Sequence, residues 1–200
     1  MTSSPSVQFF DVQFQCQVHD GAFDLNPFEL VALPHLHGRV LDFGCGLGNL
    51  AVAAARRGHP VVALDASEAA ITHLQQLAVA QSLPIEALQA DLRGYAIHSQ
   101  FETAVSIGLL MFFDRDSALK QLAQLQACLC PGGVAVVNVL IEGTTYLDMF
   151  DPQSYYLFGR EELPALFTGW ELLDTVYQSF AAPHGQTKSF VTLVARKPLA

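Results

Sequence analysis

Three observations along this chain predict an α/β fold built on a parallel sheet. From Val40 to Ile141, short apolar β-like runs alternate with helical segments, as right-handed βαβ crossovers require. The run Arg39-Val40-Leu41 feeds into Asp42-Phe43-Gly44-Cys45-Gly46-Leu47-Gly48 and then into a helical pattern, which marks a strand–turn–helix junction. Near the end, two further β-like runs, Trp170–Phe180 and Ser189–Arg196, flank the break Pro183-His184-Gly185. So short a link forces an antiparallel pair.

The elements follow in order. Met1–Ser6 is small and polar and reads as a frayed tail, and Val7–Gly38 is irregular with an aromatic group of Phe9, Phe10 and Phe14. Within it, Asn26 as N-cap and Pro27 in the first helical position open a helix to about Leu36. Val40–Phe43 is the first strand and Gly48–Arg57 a helix closed by Gly58. Pro60–Leu64 is a strand ending on Asp65, and Ser67 caps a helix from Glu68 to about Gln81. Strands at Ile85–Gln89 and Phe101–Ile107 follow, and Asp114 or Asp116 then caps a helix to about Leu129. Pro131-Gly132-Gly133 is a turn, Gly133–Ile141 a strand and Arg160–Phe167 a helix.

Two hundred residues make one domain with a substantial core the expectation. Hydrophobic residues at 51% and charged residues at 14% exclude a disordered chain. A net charge of −9, with Arg56-Arg57 the only adjacent basic pair, argues against nucleic acid and for a small-molecule substrate. No signal peptide and no membrane-length apolar run is visible, so a cytoplasmic protein without a membrane partner is expected. Cys16, Cys45, Cys128 and Cys130 lack the paired spacing of a zinc site or a disulfide framework and read as free thiols. His35-Leu36-His37 has no further ligand at metal spacing, so no metal is expected.

In an open parallel sheet, ligands bind beyond the carboxyl ends of the strands. Gly44, Gly46 and Gly48 place a tight turn and bare backbone there. Their spacing is GxGxG, and Asn49 stands where the third glycine of a dinucleotide fingerprint would fall. Asp42 at the strand end repels a pyrophosphate but suits a cofactor carrying an amino group and a sulfonium, such as S-adenosyl-L-methionine. Asp65 ends the second strand, 21 residues after Gly44, where a carboxylate can accept both ribose hydroxyls. Asp91 follows the third strand, where it can accept an adenine amine. Ser106, Ile107 and Gly108 end the fourth. Each acid alone is equally well a helix cap or a turn residue; together, at successive strand ends, they make a site.

From about Leu25 to Pro198 the chain resembles a class I S-adenosylmethionine-dependent methyltransferase. Leu41–Gly48 is similar to that family's first motif, and Leu64-Asp65 and Ala90-Asp91-Leu92 resemble its ribose- and adenine-contacting segments. Phe101–Ser106 resembles its fourth strand and Cys130-Pro131-Gly132-Gly133 its turn before the fifth. The resemblance implies a Rossmann-like seven-stranded sheet of order 3-2-1-4-5-7-6, the last-inserted strand antiparallel and helices on both faces. It implies a cofactor site at Asp42, Phe43, Gly44, Cys45, Gly46, Gly48, Asn49, Asp65, Ala66, Asp91, Leu92, Ser106, Ile107 and Gly108, in a domain of residues 25–200. Residues 1–24 form a separate N-terminal segment able to act as a lid. Within the family, Ser106–Phe113, Gly169-Trp170-Glu171 and Val194–Lys197 resemble the small tellurite-resistance methyltransferases. Asn49-Leu50-Ala51 and the short last hairpin, in which only His184 and Lys188 remain basic, depart from that group.

Methyl transfer from a sulfonium needs alignment and a dry pocket more than a catalytic base, so no catalytic residue is assigned. The amine-holding motif of nucleobase methyltransferases is missing after Ser106, and the apolar run Gly108–Phe113 replaces it. Met111, Phe112, Tyr146 and His184 are the expected substrate pocket. A small acceptor with a soft nucleophile (sulfur, selenium or tellurium) suits it, on a monomer or homodimer. Two other readings stay open on the residues alone: a catalytically silent cofactor-binding protein, and a nicotinamide-dependent oxidoreductase.

Overall fold

The computed structural model describes residues 5–21 and 23–199. Seven strands form one sheet in the order β3-β2-β1-β4-β5-β7-β6. They are β1 (Val40–Phe43), β2 (Val61–Asp65), β3 (Ile85–Gln89), β4 (Phe101–Ile107), β5 (Leu129–Leu140), β6 (Glu171–Ala181) and β7 (Thr187–Arg196). β1 to β5 pair in parallel, and β7 inserts antiparallel between β5 and β6. Side chains alternate across the sheet. Leu41, Phe43, Leu64 and Val137 enter one core, while Val40, Ala63, Val105 and Val136 enter the other. The α-helices among the described residues are α1 (Pro5–Asp20), α2 (Pro27–Ala32), α3 (Asn49–Arg56), α4 (Glu68–Ala80), α5 (Arg115–Ala127) and α6 (Glu162–Ala165). Leu122 and Leu125 of α5 cover the first core, and Ala51 and Ala54 of α3 with Ile71 and Leu74 of α4 cover the second.

Capping chemistry sets the helix starts. Asn26 accepts from the Phe28 and Glu29 amides, and Glu29 reaches back to the Asn26 amide at 2.7 Å, a reciprocal capping box. Ser67 caps α4 through the Ala70 amide. Asp114, rather than Asp116, caps α5 through the Ser117 amide. Each such cap contributes about 1 kcal/mol.

Several sequence expectations need correction. The stretch read as irregular contains the 16-residue helix α1; of the expected frayed tail, residues 1–4 lie outside the described residues, while Pro5 and Ser6 begin that helix. Its apolar side chains had no helical stripe to betray it, and Phe9, Val12 and Val18 remain exposed. The helix expected to about Leu36 ends at Ala32 and tightens into a 3₁₀ turn over Leu33–His35, where Pro34 lacks the amide an α-helix would use. The helix expected over Arg160–Phe167 keeps only Glu162–Ala165. Pro131-Gly132-Gly133 lies inside β5: pairing with β4 jumps from Phe101↔Leu129 to Thr103↔Val134, so the segment bulges from the ladder.

Candidate cofactor and substrate site

The turn between β1 and α3 lies beyond the carboxyl end of β1 and borders a cavity of about 420 Å³, within the usual range for a small-molecule site. Its backbone is less bare than the sequence suggests. The Gly44 and Cys45 amides both donate to the Leu64 carbonyl at 2.8 and 3.0 Å, and the Gly48 amide donates to the Cys45 carbonyl. The Gly46 amide donates to Asp65 Oδ2 at 2.8 Å. Four amides are thus committed within the fold, and those are the donors that an anion cradle would need. What the glycines provide is space and backbone freedom. Gly46 has φ +51°, and a Cβ there would stand 3.1 Å from the Phe14 ring of α1.

Carboxylates crowd this end of the cavity. Asp42, 5% exposed, is held up at about 8, first by burial and then by the Glu29 and Asp65 carboxylates; the Ala51 amide offsets this only in part. Burial also raises Asp65, against the Ser67, Gly46 and Ala66 amides that pull it down. Burial raises Glu29, and it pushes the Cys45 thiol well up, with help from Asp42 and Asp65. Such a cluster suits a cationic ligand and repels a pyrophosphate.

Ser67 caps α4, so the helix-cap reading of Asp65 is not met; the Asp65 carboxylate instead braces the corner before the helix. Its Oδ1 accepts the Ser67 amide at 2.9 Å and its Oδ2 the Gly46 amide, fixing the β2–α4 corner against the glycine turn. Each carboxylate oxygen retains a lone pair for a ribose hydroxyl. Asp91 borders the same cavity, with Oδ1 accepting the Arg93 amide at 3.1 Å. Helix α1 reaches this rim through Asp11, whose carboxylate accepts the Ser67 hydroxyl at 2.5 Å.

The cavity continues past the end of β4 into an apolar arm. Met111, Phe112, Leu140, Met149 and Phe150 form one buried cluster, against which Phe10, Tyr146 and Phe190 pack. The Phe10 ring stands edge-on to Phe112 at 5.1 Å, and Phe28 lies 4.6 Å from Phe190.

The cavity brings together Asp42, Gly44, Cys45, Gly46, Gly48, Asn49, Asp65, Ala66, Asp91, Leu92, Ile107, Gly108, Met111, Phe112 and Tyr146. Three expected site residues are not in its wall. Phe43 points into the core beneath, at 0% exposure. Ser106 is likewise fully buried, its hydroxyl without a partner among the described residues. His184 is exposed at the tip of the β6–β7 hairpin with φ +57°, because the ladder extends to Ala181↔Thr187 and carries it away from the cavity. The sequence reading missed Gln13 on α1, Phe28 and Glu29 on α2, and Asn138, Lys188 and Phe190 on β5 and β7, whereas Phe9, Phe10 and Phe14, the aromatic group of the segment expected as a lid, do line the wall. The one readable signal was Asn138, a lone amide inside the apolar run Val136–Leu140.

The comparisons with known proteins agree with this geometry. A family described as a methyltransferase domain matches residues 40–133. Hemagglutinin 1 of Eikenella corrodens is 26% identical over 80% of this chain and 55% of its own length. A probable S-adenosyl-L-methionine-dependent methyltransferase TehB of Haemophilus influenzae is 24% identical over 80% of this chain and 57% of its own length. The chain therefore spans little more than half the length of these curated relatives. The crystal structure of TehB from Haemophilus influenzae superposes with a TM-score of 0.74 at 21% identity, over 86% of this chain and 62% of that one. A Burkholderia thailandensis 1,6-didemethyltoxoflavin-N1-methyltransferase, solved with 1,6-didemethyltoxoflavin and S-adenosylhomocysteine, superposes at 0.67 with 22% identity, over 99% and 92%. With the 3-2-1-4-5-7-6 sheet, a glycine turn whose amides are bonded within the fold and a cluster of acids at the strand ends, this chain belongs to the class I S-adenosylmethionine-dependent methyltransferases, close to TehB.

Proposed function

We propose that this chain transfers a methyl group from S-adenosylmethionine to a small acceptor bound in the apolar arm, and that the acceptor atom is a soft nucleophile such as a thiolate. The observation that carries this reading is one continuous cavity joining the acidic glycine-turn end to the apolar arm at Ile107 and Gly108. When bound, the cofactor supplies an electrophilic methyl on a sulfonium whose departure is already favourable. The chain's own residues then have to hold, orient and exclude water. Asp65 offers lone pairs for the ribose hydroxyls, and Asp91 offers one for the adenine amine. Asp42 and Glu29 face the cationic end, where a bound cation would favour their ionised forms. Met111, Phe112, Leu140 and Met149 keep the acceptor's surroundings dry.

A soft acceptor is supported by what the apolar arm offers. Its polar side chains are Asn138, Tyr146 and Lys188, with no carboxylate or imidazole among the described residues of that arm placed to take a proton. A nucleophile ionised at neutral pH needs none. Net charge −9 favours a small molecule over nucleic acid. Helix α1 is proposed as the cover of the cofactor end, because Phe14 packs over Gly46 and Asp11 holds Ser67.

The test is calorimetry with S-adenosylhomocysteine and with NAD, followed by a methyl-transfer screen of thiols, selenite, tellurite, amines and tRNA. Micromolar binding of S-adenosylhomocysteine, no binding of NAD and turnover of a thiol or chalcogen species are expected. Tight NAD binding, or methylation of an amine or of RNA with no soft nucleophile modified, would overturn the reading.

A further inference from the structure

Two polar groups in the apolar arm have no role in the reading above. Asn138 of β5 is wholly buried and borders the cavity. Its Nδ2 donates to Thr192 Oγ1 at 2.9 Å and to the Val191 carbonyl at 3.3 Å. A carbonyl only accepts, so these bonds fix which end of the amide faces β7. Oδ1 is left on the other side with no hydrogen-bond partner among the described residues. A buried acceptor without a donor is costly, and a ligand N–H or O–H would recover that cost.

The second group is Lys188. Its ammonium stands 5.1 Å from the centre of the Tyr146 ring, and no carboxylate among the described residues lies within ion-pair distance. Lys188, Phe190 and Thr192 alternate onto one face of β7, where Thr192 pairs with Asn138 and Phe190 with Leu140. This wall therefore reads amide oxygen, then the apolar pair Leu140 and Phe190, then a cation. Four residues of strand place Thr192 and Lys188 about 13 Å apart at Cα, a span that the lysine stem shortens toward the cavity.

Resting on the methyl-transfer reading, we propose that the acceptor is an organic acid with an apolar, ring-sized body. Its carboxylate pairs with Lys188, its body lies against Phe28, Phe190 and Phe112, and an N–H or O–H near the reacting end donates to Asn138 Oδ1. An inorganic oxyanion would occupy the Lys188 end alone and leave both the apolar strip and the amide oxygen unserved.

The experiment is calorimetry on the protein saturated with S-adenosylhomocysteine, using 4-hydroxyphenylacetate, phenylacetate and 4-hydroxyphenylacetamide as probes. The acid should bind at least about tenfold more tightly than its amide, a difference of about 1.4 kcal/mol. Removing the ring hydroxyl should weaken binding severalfold. Lys188→Met should collapse the acid-to-amide ratio toward one, and Lys188→Arg should restore it. Equal binding of acid and amide, an unchanged ratio in Lys188→Met, or no binding of any acid at millimolar concentration would overturn the proposal. A protein that fails to bind S-adenosylhomocysteine in the same titration would instead refute the underlying methyl-transfer reading, and the three probes would then be compared on the protein alone.

Discussion

Replacing Asp42 by asparagine should stabilise the ligand-free protein while weakening its hold on the cofactor. The Asp42 carboxyl sits at about 8 in the folded chain against an ordinary value of 3.8, chiefly because it is buried and faces Glu29 and Asp65. Between those two values the folded state keeps a proton that the unfolded chain has released. Stability therefore falls as pH rises through that window. At 1.36 kcal/mol per pKa unit, the ceiling on this penalty grows from under about 1 kcal/mol near pH 4 to about 6 kcal/mol above pH 8. Water entry and side-chain relaxation lower that ceiling. The substituted amide carries no charge to desolvate, so the variant should gain at least about 2 kcal/mol at about pH 8.5, or roughly 4–8 °C in Tm. The gain should shrink steadily toward about pH 5. Scanning calorimetry of both proteins without ligand, at about pH 5, 7 and 8.5 in one salt concentration, reads this directly. A gap in Tm that does not change with pH would refute the reasoning, as would a variant less stable at every pH. In the same samples, S-adenosylmethionine should bind more weakly to Asp42→Asn, and the wild-type preference for it over uncharged-sulfur S-adenosylhomocysteine should increase up to about pH 8.

Three further outcomes follow from the same geometry. Asp65→Ala removes an acceptor from the Ser67 and Gly46 amides as well as from the ribose. It should weaken S-adenosylhomocysteine at least about tenfold and also cost about 1–3 kcal/mol of stability, so an unchanged calorimetric affinity would reduce Asp65 to a structural corner. Asp11→Ala frees α1 from Ser67. Hydrogen exchange over residues 5–20 should accelerate and the off-rate of S-adenosylhomocysteine should rise, with Tm moving by less than about 2 °C; unaltered exchange would show that α1 is held without the Asp11 contact. Gly48→Ala places a methyl 2.5 Å from Leu74 Cδ2 on backbone at φ +78°. A loss of about 2–4 kcal/mol is expected from strain and overpacking together, and a Tm within about 1 °C of wild type would contradict it.

The sequence by itself determined the sheet's parallel half and the acidic end of the site. β1, the glycine turn and α3 are consecutive, as are β2, Asp65 and α4, and parallel pairing brings successive strand ends to one edge. Asp42, Asp65 and Asp91 therefore meet because of local periodicity and connection rules, without long-range information. The terminal antiparallel pair was legible for the same reason, since its loop is too short for any other pairing.

Only the tertiary structure decided the rest of the cavity. Helix α1 has little amphipathic signal because its phenylalanines pack on a cavity rim, against Gly46 and Phe112, rather than on a continuous core. Asn138 and Lys188 lie 50 positions apart and share one wall because β7 enters between β5 and β6 in a particular register. His184, four residues before Lys188, is carried away by that same ladder. The Leu64 carbonyl claims two amides of the glycine turn, and Asp42 becomes hard to ionise only when it is buried, with Glu29 and Asp65 folded around it. Strand period and capping act within a few residues and can be read along the chain; register, burial and the summed field of charges from separate elements exist only once those elements pack.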